Sequence, residues 1–405
     1  KAVESSFHSN GITQGQVIYD PFMGSGTTNL VAKKLAINSY GVEAHPFVFR
    51  ITRTKMNWEI SRDEIAHALR DVEAQVKKRK QNFNGTDIQT FLEKEFPELV
   101  LKCYENNTLL DLLFIRNAIA KGNFSEAIKD LFFVGLTSIL RQVSTAATGW
   151  PYIAPNKQKT SSLNKNAMFE FSRQIKKMAD DIQVTVQEAN KYYGNYFHNI
   201  FNADSRKTQE LIPSSCADHV FTSPPYLNNF DYADRTRLEL YFWGEAKNWG
   251  DISDNIRTKL ITSATTQISR DDPRYNLSEG LQEASPDVFD FLRKSVSQLG
   301  EIRLTRGGKK SYDHLVSGYF NDMFEIISEV YRILKPNTKA VFVLGDSAPY
   351  GVHIPTDDLI GKIGLGVGFS DYRIDVLRER GGKWKDNPQR HNVLLRESIV
   401  TLLKA

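Results

Sequence analysis

The sequence is poor in the residues and runs on which several structural classes depend. Its two cysteines, Cys103 and Cys216, are too few for a disulfide framework or a four-cysteine zinc site. No uninterrupted apolar stretch approaches the ~18 residues of a membrane-crossing helix, so no membrane partner is expected. The eight histidines include no H-x-x-x-H pair and no Cys/His grouping at ligand spacing, so no metal is expected. Neither an internal repeat nor a low-complexity tract is present. Charge of one sign is barely in excess: 52 Lys and Arg against 48 Asp and Glu leave +4, which permits a polyanionic partner without demanding one.

What remains is ordinary globular material, 405 residues at 40% hydrophobic and 25% charged, enough for roughly two to three domains. The chain opens at Lys1 with neither a signal-peptide pattern nor a methionine, so a missing leading segment and a cytoplasmic setting are expected. Residues 16–49 read strand, glycine turn, helix, strand, the first unit of a parallel α/β sheet. From about Ile51 to Lys191 the pattern turns helical, too long for one crossover, and predicts an inserted helical subdomain. Within it Asn123-Phe-Ser-Glu126 has capping-box spacing, followed by Ile128, Leu131, Phe132, Gly135, Ile139, Leu140 and Val143 at helical intervals. The sheet resumes at 196–204 and 218–222. A second insertion, 245–317, is polar and poor in periodicity. A helix over 320–334, a strand over 340–344 and two late strands, 372–380 and 398–403, complete the pattern.

Asp20-Pro-Phe-Met-Gly-Ser-Gly-Thr-Thr28 falls at the carboxyl end of the first strand, where α/β sheets dock nucleotide-like ligands. Gly24 and Gly26 let backbone approach a ligand, and the following helix N-terminus supplies N–H groups. No Gly-Lys-Ser/Thr follows, which excludes a P-loop, and the full G-x-G-x-x-G of dinucleotide folds is missing. Glu43 ends the next strand, where an acid can accept both hydroxyls of a ribose. Asp204 ends the strand after that, where an acid can accept an adenine amino group. Three such strand ends in succession favour an adenosine-bearing cofactor.

Thr222-Ser-Pro-Pro-Tyr226 closes a later strand. Two prolines hold the chain extended and remove two backbone donors, leaving the Ser223 hydroxyl and the carbonyls of Ser223 and Pro224 as acceptors beside the Tyr226 ring. That suits an exocyclic amine of a nucleobase, whose lone pair is delocalised into its ring. Acceptors gripping both N–H bonds draw the lone pair out of conjugation, and an aromatic face can stack on the base.

Together, Asp20–Thr28 and Thr222–Tyr226 resemble the S-adenosylmethionine-dependent amino-methyltransferases of DNA. The resemblance implies a Rossmann-like α/β methyltransferase sheet from residues 1–50, 196–244 and 318–405, carrying a large helical insertion (51–195) and a second irregular one (245–317). It implies S-adenosylmethionine held by Asp20, Pro21, Phe22, Gly24, Ser25, Gly26, Thr27, Glu43 and Asp204, and the target amine held by Ser223, Pro224, Pro225 and Tyr226. The substrate implied is double-stranded DNA with the base flipped out, and the setting implied is restriction–modification, with a cognate restriction or phage-defence nuclease as partner. Serine at the first position of the segment tilts the target towards cytosine N4. Adenine N6 is the alternative on the same scaffold, and outside enzymes it is a nucleic-acid-binding protein with a silent core. In this chain the glycine segment precedes Ser-Pro-Pro-Tyr, the reverse of the order in which its wording is common, so both insertions are candidates for reading DNA.

Positive charge is uneven. Residues 141–207 hold ten basic and five acidic side chains, and Lys77–Lys80 and Arg303–Lys310 add local patches that suit a phosphate-lined partner. Trp150 and Tyr152, in a stiff aromatic loop, and Arg380, Lys383 and Trp384, in the late hairpin, are the candidate DNA contacts. Cytosine-C5 chemistry would need a Pro-Cys thiolate. Cys216 follows Ser215 and Cys103 lies in a helical stretch, so both read as structural.

Overall fold

Ile18 and Tyr19, fully buried, make β1 (Val17–Asp20) a central strand, and a central strand in an α/β fold needs neighbours on both edges. The computed structural model describes residues 2–84, 87–147, 153–158, 166–189, 195–269, 271–306, 310–380 and 393–405. Along the chain the further strands are β2 (Asn38–Val42), β3 (Ala146–Ala147), β4 (Ala154–Gln158), β5 (His198–Phe201), β6 (Ala217–Thr222), β7 (Leu334–Gly345), β8 (Asp371–Arg380) and β9 (Leu395–Lys404). Among the described residues, seven of them form one sheet in the order β5-β2-β1-β6-β7-β9-β8. β5, β2, β1, β6 and β7 run parallel, and β9 runs antiparallel between β7 and β8.

This order positions the site. From β1 the chain fills one side with β2 and β5, then returns across β1 to lay β6 and β7 on the other. The direction of filling reverses between β1 and β6, and at such a switch point the outgoing loops diverge and leave a crevice at the strands' carboxyl ends. Tyr19 pairs with Tyr40 on one side and Val220 on the other, so the carboxyl ends of β1, β2 and β6 lie nearly level.

Two compact units emerge. The first, Lys1–Pro46, Gly194–Asp231 and Arg257–Ala405, holds the sheet. Its largest helix, Tyr312–Ile333, buries Leu315, Tyr319, Met323, Ile326, Val330 and Ile333 at three- and four-residue spacing in the same cluster as Tyr19, Val220 and Phe342. The helix Ala2–Ser9, ahead of β1, packs Phe7 edge-on to Phe221 of β6.

The second unit, Phe47–Tyr193 and Tyr232–Ile256, is mainly helical. The helices Arg62–Gln81, Asn106–Lys121, Glu126–Val143 and Ala167–Ala189 pack on one another. All seven residues picked out by periodicity in the third of these are buried. At Gly135 a Cβ would lie 2.4 Å from Ile175 Cδ1 of the neighbouring helix, so a larger residue would have to displace that side chain. The cap differs from the expected one: Ser125, not Asn123, accepts the Ile128 N–H, since the chain turns helical two residues later. The short β3–β4 pair was not expected.

Residues 232–256 span the end of the stretch read as core and the start of the second insertion, and they cluster with the helical unit; 257–317 cluster with the sheet. The stretch read as unpatterned contains a 20-residue helix, Pro286–Thr305, which buries Val288, Leu292, Ser295 and Leu299. Part of the positive excess is paired within the protein: Arg141 is bound to Glu239 at 2.6 Å. Among the described residues no helix is long and apolar enough to cross a membrane.

Candidate active site

Asp20, at the carboxyl end of β1, is buried, which pushes its carboxyl above the usual range. Its Oδ1 accepts the Phe22 N–H at 3.0 Å, starting the turn, and the Thr222 hydroxyl of β6 at 2.6 Å. Gly24 (φ +53°) and Gly26 (φ +81°) carry the turn through left-handed backbone that side-chain-bearing residues avoid. Gly26 closes it on the Met23 carbonyl at 2.8 Å and caps the helix Thr27–Lys34. Ser25 and Thr27 are exposed on it and Phe22 is half-buried.

The neighbouring strand ends are laced to this turn. Glu43, just past β2, accepts the Gly24 N–H at 2.9 Å and the His45 N–H at 2.7 Å. Glu43 is part-buried, and desolvation by its surroundings pushes its pKa up to about 7. Asn202, past β5, donates its side-chain amide to the Glu43 carbonyl at 2.7 Å. Buried Ser205 donates to the Pro21 carbonyl. His45 is buried and held near pKa 4 by desolvation, so its ring is neutral at neutral pH.

Gly41, inside β2, was not singled out from the sequence, yet a Cβ there would lie 2.6 Å from Met23 Sδ and 2.8 Å from the Asn29 side chain. A glycine in a buried strand is the usual sign of such close approach. Asn29 is itself fully buried, its amide without a hydrogen-bond partner among the described residues. Gly41→Ala is expected to cost about 1–3 kcal/mol of stability by overpacking, measurable in urea unfolding; an unchanged midpoint would show that Met23 and Asn29 yield freely.

Asp204 is more committed than its sequence position suggested. Its carboxylate takes the Arg206 backbone N–H at 3.0 Å, Arg206 Nε at 2.9 Å and Nη2 at 2.7 Å, while Arg206 Nη1 reaches Asp322. With about four lone-pair sites on a carboxylate, little acceptor capacity remains beyond this clasp.

Past β6, Ser223 is exposed and Pro224 buried. The Ser223 hydroxyl faces the Val343 carbonyl of β7 at a long 3.4 Å, which turns its lone pairs away from β7. Tyr226 is half-buried, and its hydroxyl donates to Glu397 Oε1 of β9 at 2.6 Å. Leu227 is buried and Asn228 turns the chain at φ +57°. Asp231, closing this loop, is buried against Arg257 at 2.9 and 2.7 Å and the Thr266 hydroxyl at 2.7 Å.

Thus the glycine turn, Glu43 and the Ser-Pro-Pro-Tyr segment meet at one end of the sheet, joined by the Asp20–Thr222 bond across 202 positions of sequence. Cys216 lies at the opposite, amino end of β6, its thiol raised by burial, and buried Cys103 is pushed up to about 12. Both environments disfavour a thiolate. Trp150, Tyr152, Lys383 and Trp384 lie outside the described residues, and of Arg380 only the backbone, at the end of β8, is described.

Residues 3–54 match a family model described as DNA methylase. Over 98% of its length the chain is 27% identical to the Type II methyltransferase M.BsoBI of Geobacillus stearothermophilus, covering 82% of that protein. It is 26% identical to the Type II methyltransferase M.AvaI of Nostoc sp., over 89% of this chain and 74% of that one. With the Type II methyltransferase M.MvaI of Kocuria varians it shares 22% identity over 96% of its length and 84% of the relative's.

Proposed function

We propose that this chain, a member of the S-adenosylmethionine-dependent DNA amino-methyltransferase family, methylates the exocyclic N4 of a cytosine flipped out of duplex DNA. The observation that carries the reading is the Thr222–Asp20 hydrogen bond at 2.6 Å, which sets the acceptor-rich segment beside the glycine turn at the sheet's switch point.

The residues present fit the cofactor. Two left-handed glycines clear Cβ atoms from the turn, the N-terminus of Thr27–Lys34 offers N–H groups to a carboxylate, Phe22 supplies an apolar face, and part-buried Glu43 offers its carboxylate to ribose hydroxyls. Asp20 serves by holding the turn to β6, and Pro21 by its bond to Ser205. Asp204, clasped by Arg206, has little acceptor capacity left for an adenine amino group and serves by fixing the loop past β5. When bound, S-adenosylmethionine supplies an electrophilic methyl group on a sulfonium.

The chain's own residues do the rest. Oxygens of Ser223 and Pro224 accept the two N–H bonds of the amine, localise its lone pair and offset the positive charge its nitrogen develops. The shed proton leaves along one of these bonds, and exposed Ser223 passes it to solvent. Tyr226 stacks on the base and fixes its plane. Serine rather than an acidic or amide side chain at position 223 supports cytosine N4, and the relatives' Type II designation supports a nuclease partner of matching specificity. Either the helical unit or residues 257–317 is available to read sequence.

The test is direct. Plasmid incubated with the protein and S-adenosylmethionine, digested to nucleosides and weighed, is expected to yield N4-methylcytosine. N6-methyladenine would move the target to adenine, and unmodified nucleosides would leave the silent binding protein.

A further inference from the structure

The two prolines fix the backbone of the Ser-Pro-Pro-Tyr segment but not the torsions of the Tyr226 side chain, and a stacking ring must be held in plane. Buried Pro224 and Leu227 anchor the chain on either side of Tyr226, so the remaining freedom is the side chain's own. Its phenol tip is held by Glu397 Oε1 at 2.6 Å, an ordinary length for a charge-assisted bond of its class. Glu397 divides its carboxylate: Oε2 takes Arg378 Nε of β8 and Oε1 takes the tyrosine. It is itself fixed, since its backbone lies in the ladder opposite Gly345 of β7 and Arg378 of β8 and its side chain is only 14% exposed.

We propose that Glu397 is a positioning residue for methyl transfer, orienting the Tyr226 ring against the extruded base. The inference rests on the reading of Tyr226 as the stacking residue, and it adds a part of the site contributed by β9, beyond both motifs. Loss of either partner removes this restraint on the ring, so bases are captured out of plane more often and the reaction slows, while the glycine turn and Glu43 bind cofactor as before.

A double-mutant cycle in the full chain tests it. Tyr226→Phe, which keeps the ring and removes the donor, and Glu397→Ala are each expected to lower kcat by about tenfold, because a ring that can turn holds the base aligned for only a fraction of the time. The double variant should be no slower than either alone. Glu397→Gln, still an acceptor, should recover most of the rate. Emission from 2-aminopurine beside the target base should drop in Tyr226→Phe and Glu397→Ala alike, with S-adenosylmethionine Kd unchanged. Losses that multiply in the double variant, or a Glu397→Ala enzyme at full rate, overturn the proposal alone. A wild-type protein that methylates no DNA base overturns it together with the function it rests on.

Discussion

Tyr226→Ala is expected to reduce methyl incorporation into duplex DNA about a hundredfold while leaving the Kd for S-adenosylmethionine within about twofold. Stacking on a base is worth about 1–3 kcal/mol, and the loss falls on the rate because a base held out of plane is rarely aligned for transfer. The cofactor cradle is independent of this ring: the bond tying the segment to the glycine turn comes from Thr222, and Glu43 grips Gly24. Tritiated methyl transfer at saturating cofactor reads the first quantity and calorimetry the second. Equal losses in both would mean that residues 223–226 bind cofactor rather than target. An unchanged rate would remove the stacking role and the Glu397 tether with it.

The sequence carried the parts of this site that are local. A β-rich run into Asp20, two glycines and a helix start predict the turn, and Thr222 to Tyr226 announce themselves by composition. Both prove to lie at adjacent parallel strand ends, because β1 and β6 pair directly. What the sequence hid is long-range. Nothing marks Glu397 as the partner of a tyrosine 171 positions away, nor Ser205 as the tie to Pro21, because pairing across a sheet is set by tertiary register. Gly41 was legible in principle, as a glycine amid buried strand residues. The helix Pro286–Thr305 escaped notice because exposed Phe291 and polar residues interrupt its stripe of Val288, Leu292 and Leu299. Asp204 shows a subtler failing: an acid at a strand end looks free in a sequence, but the arginine two residues on folds back onto it.

Glu43→Gln is expected to weaken S-adenosylmethionine binding about tenfold to a hundredfold at about pH 8 and to abolish its pH dependence. The folded pKa near 7 stands above an ordinary glutamate's 4.5, so between these values the folded protein keeps a proton that the unfolded chain has released. Stability therefore falls as pH rises from about 4.5 to about 7, and the full penalty persists above. Ribose hydroxyls donate, and they prefer the carboxylate. Affinity of the wild-type protein should thus strengthen as pH rises through 7, with up to about one proton released on binding near pH 6, visible when calorimetry is repeated in buffers of different ionisation enthalpy. Glutamine keeps one acceptor but turns an NH₂ towards the Gly24 or His45 N–H, loosening the turn as well as losing the charge. Urea unfolding of the variant separates the two effects, since a loosened turn lowers stability at every pH whereas the lost carboxyl removes only the slope between about pH 4.5 and 7. Wild-type affinity flat from about pH 6 to 8, with no proton released, would show that this carboxyl braces the turn and never meets the cofactor.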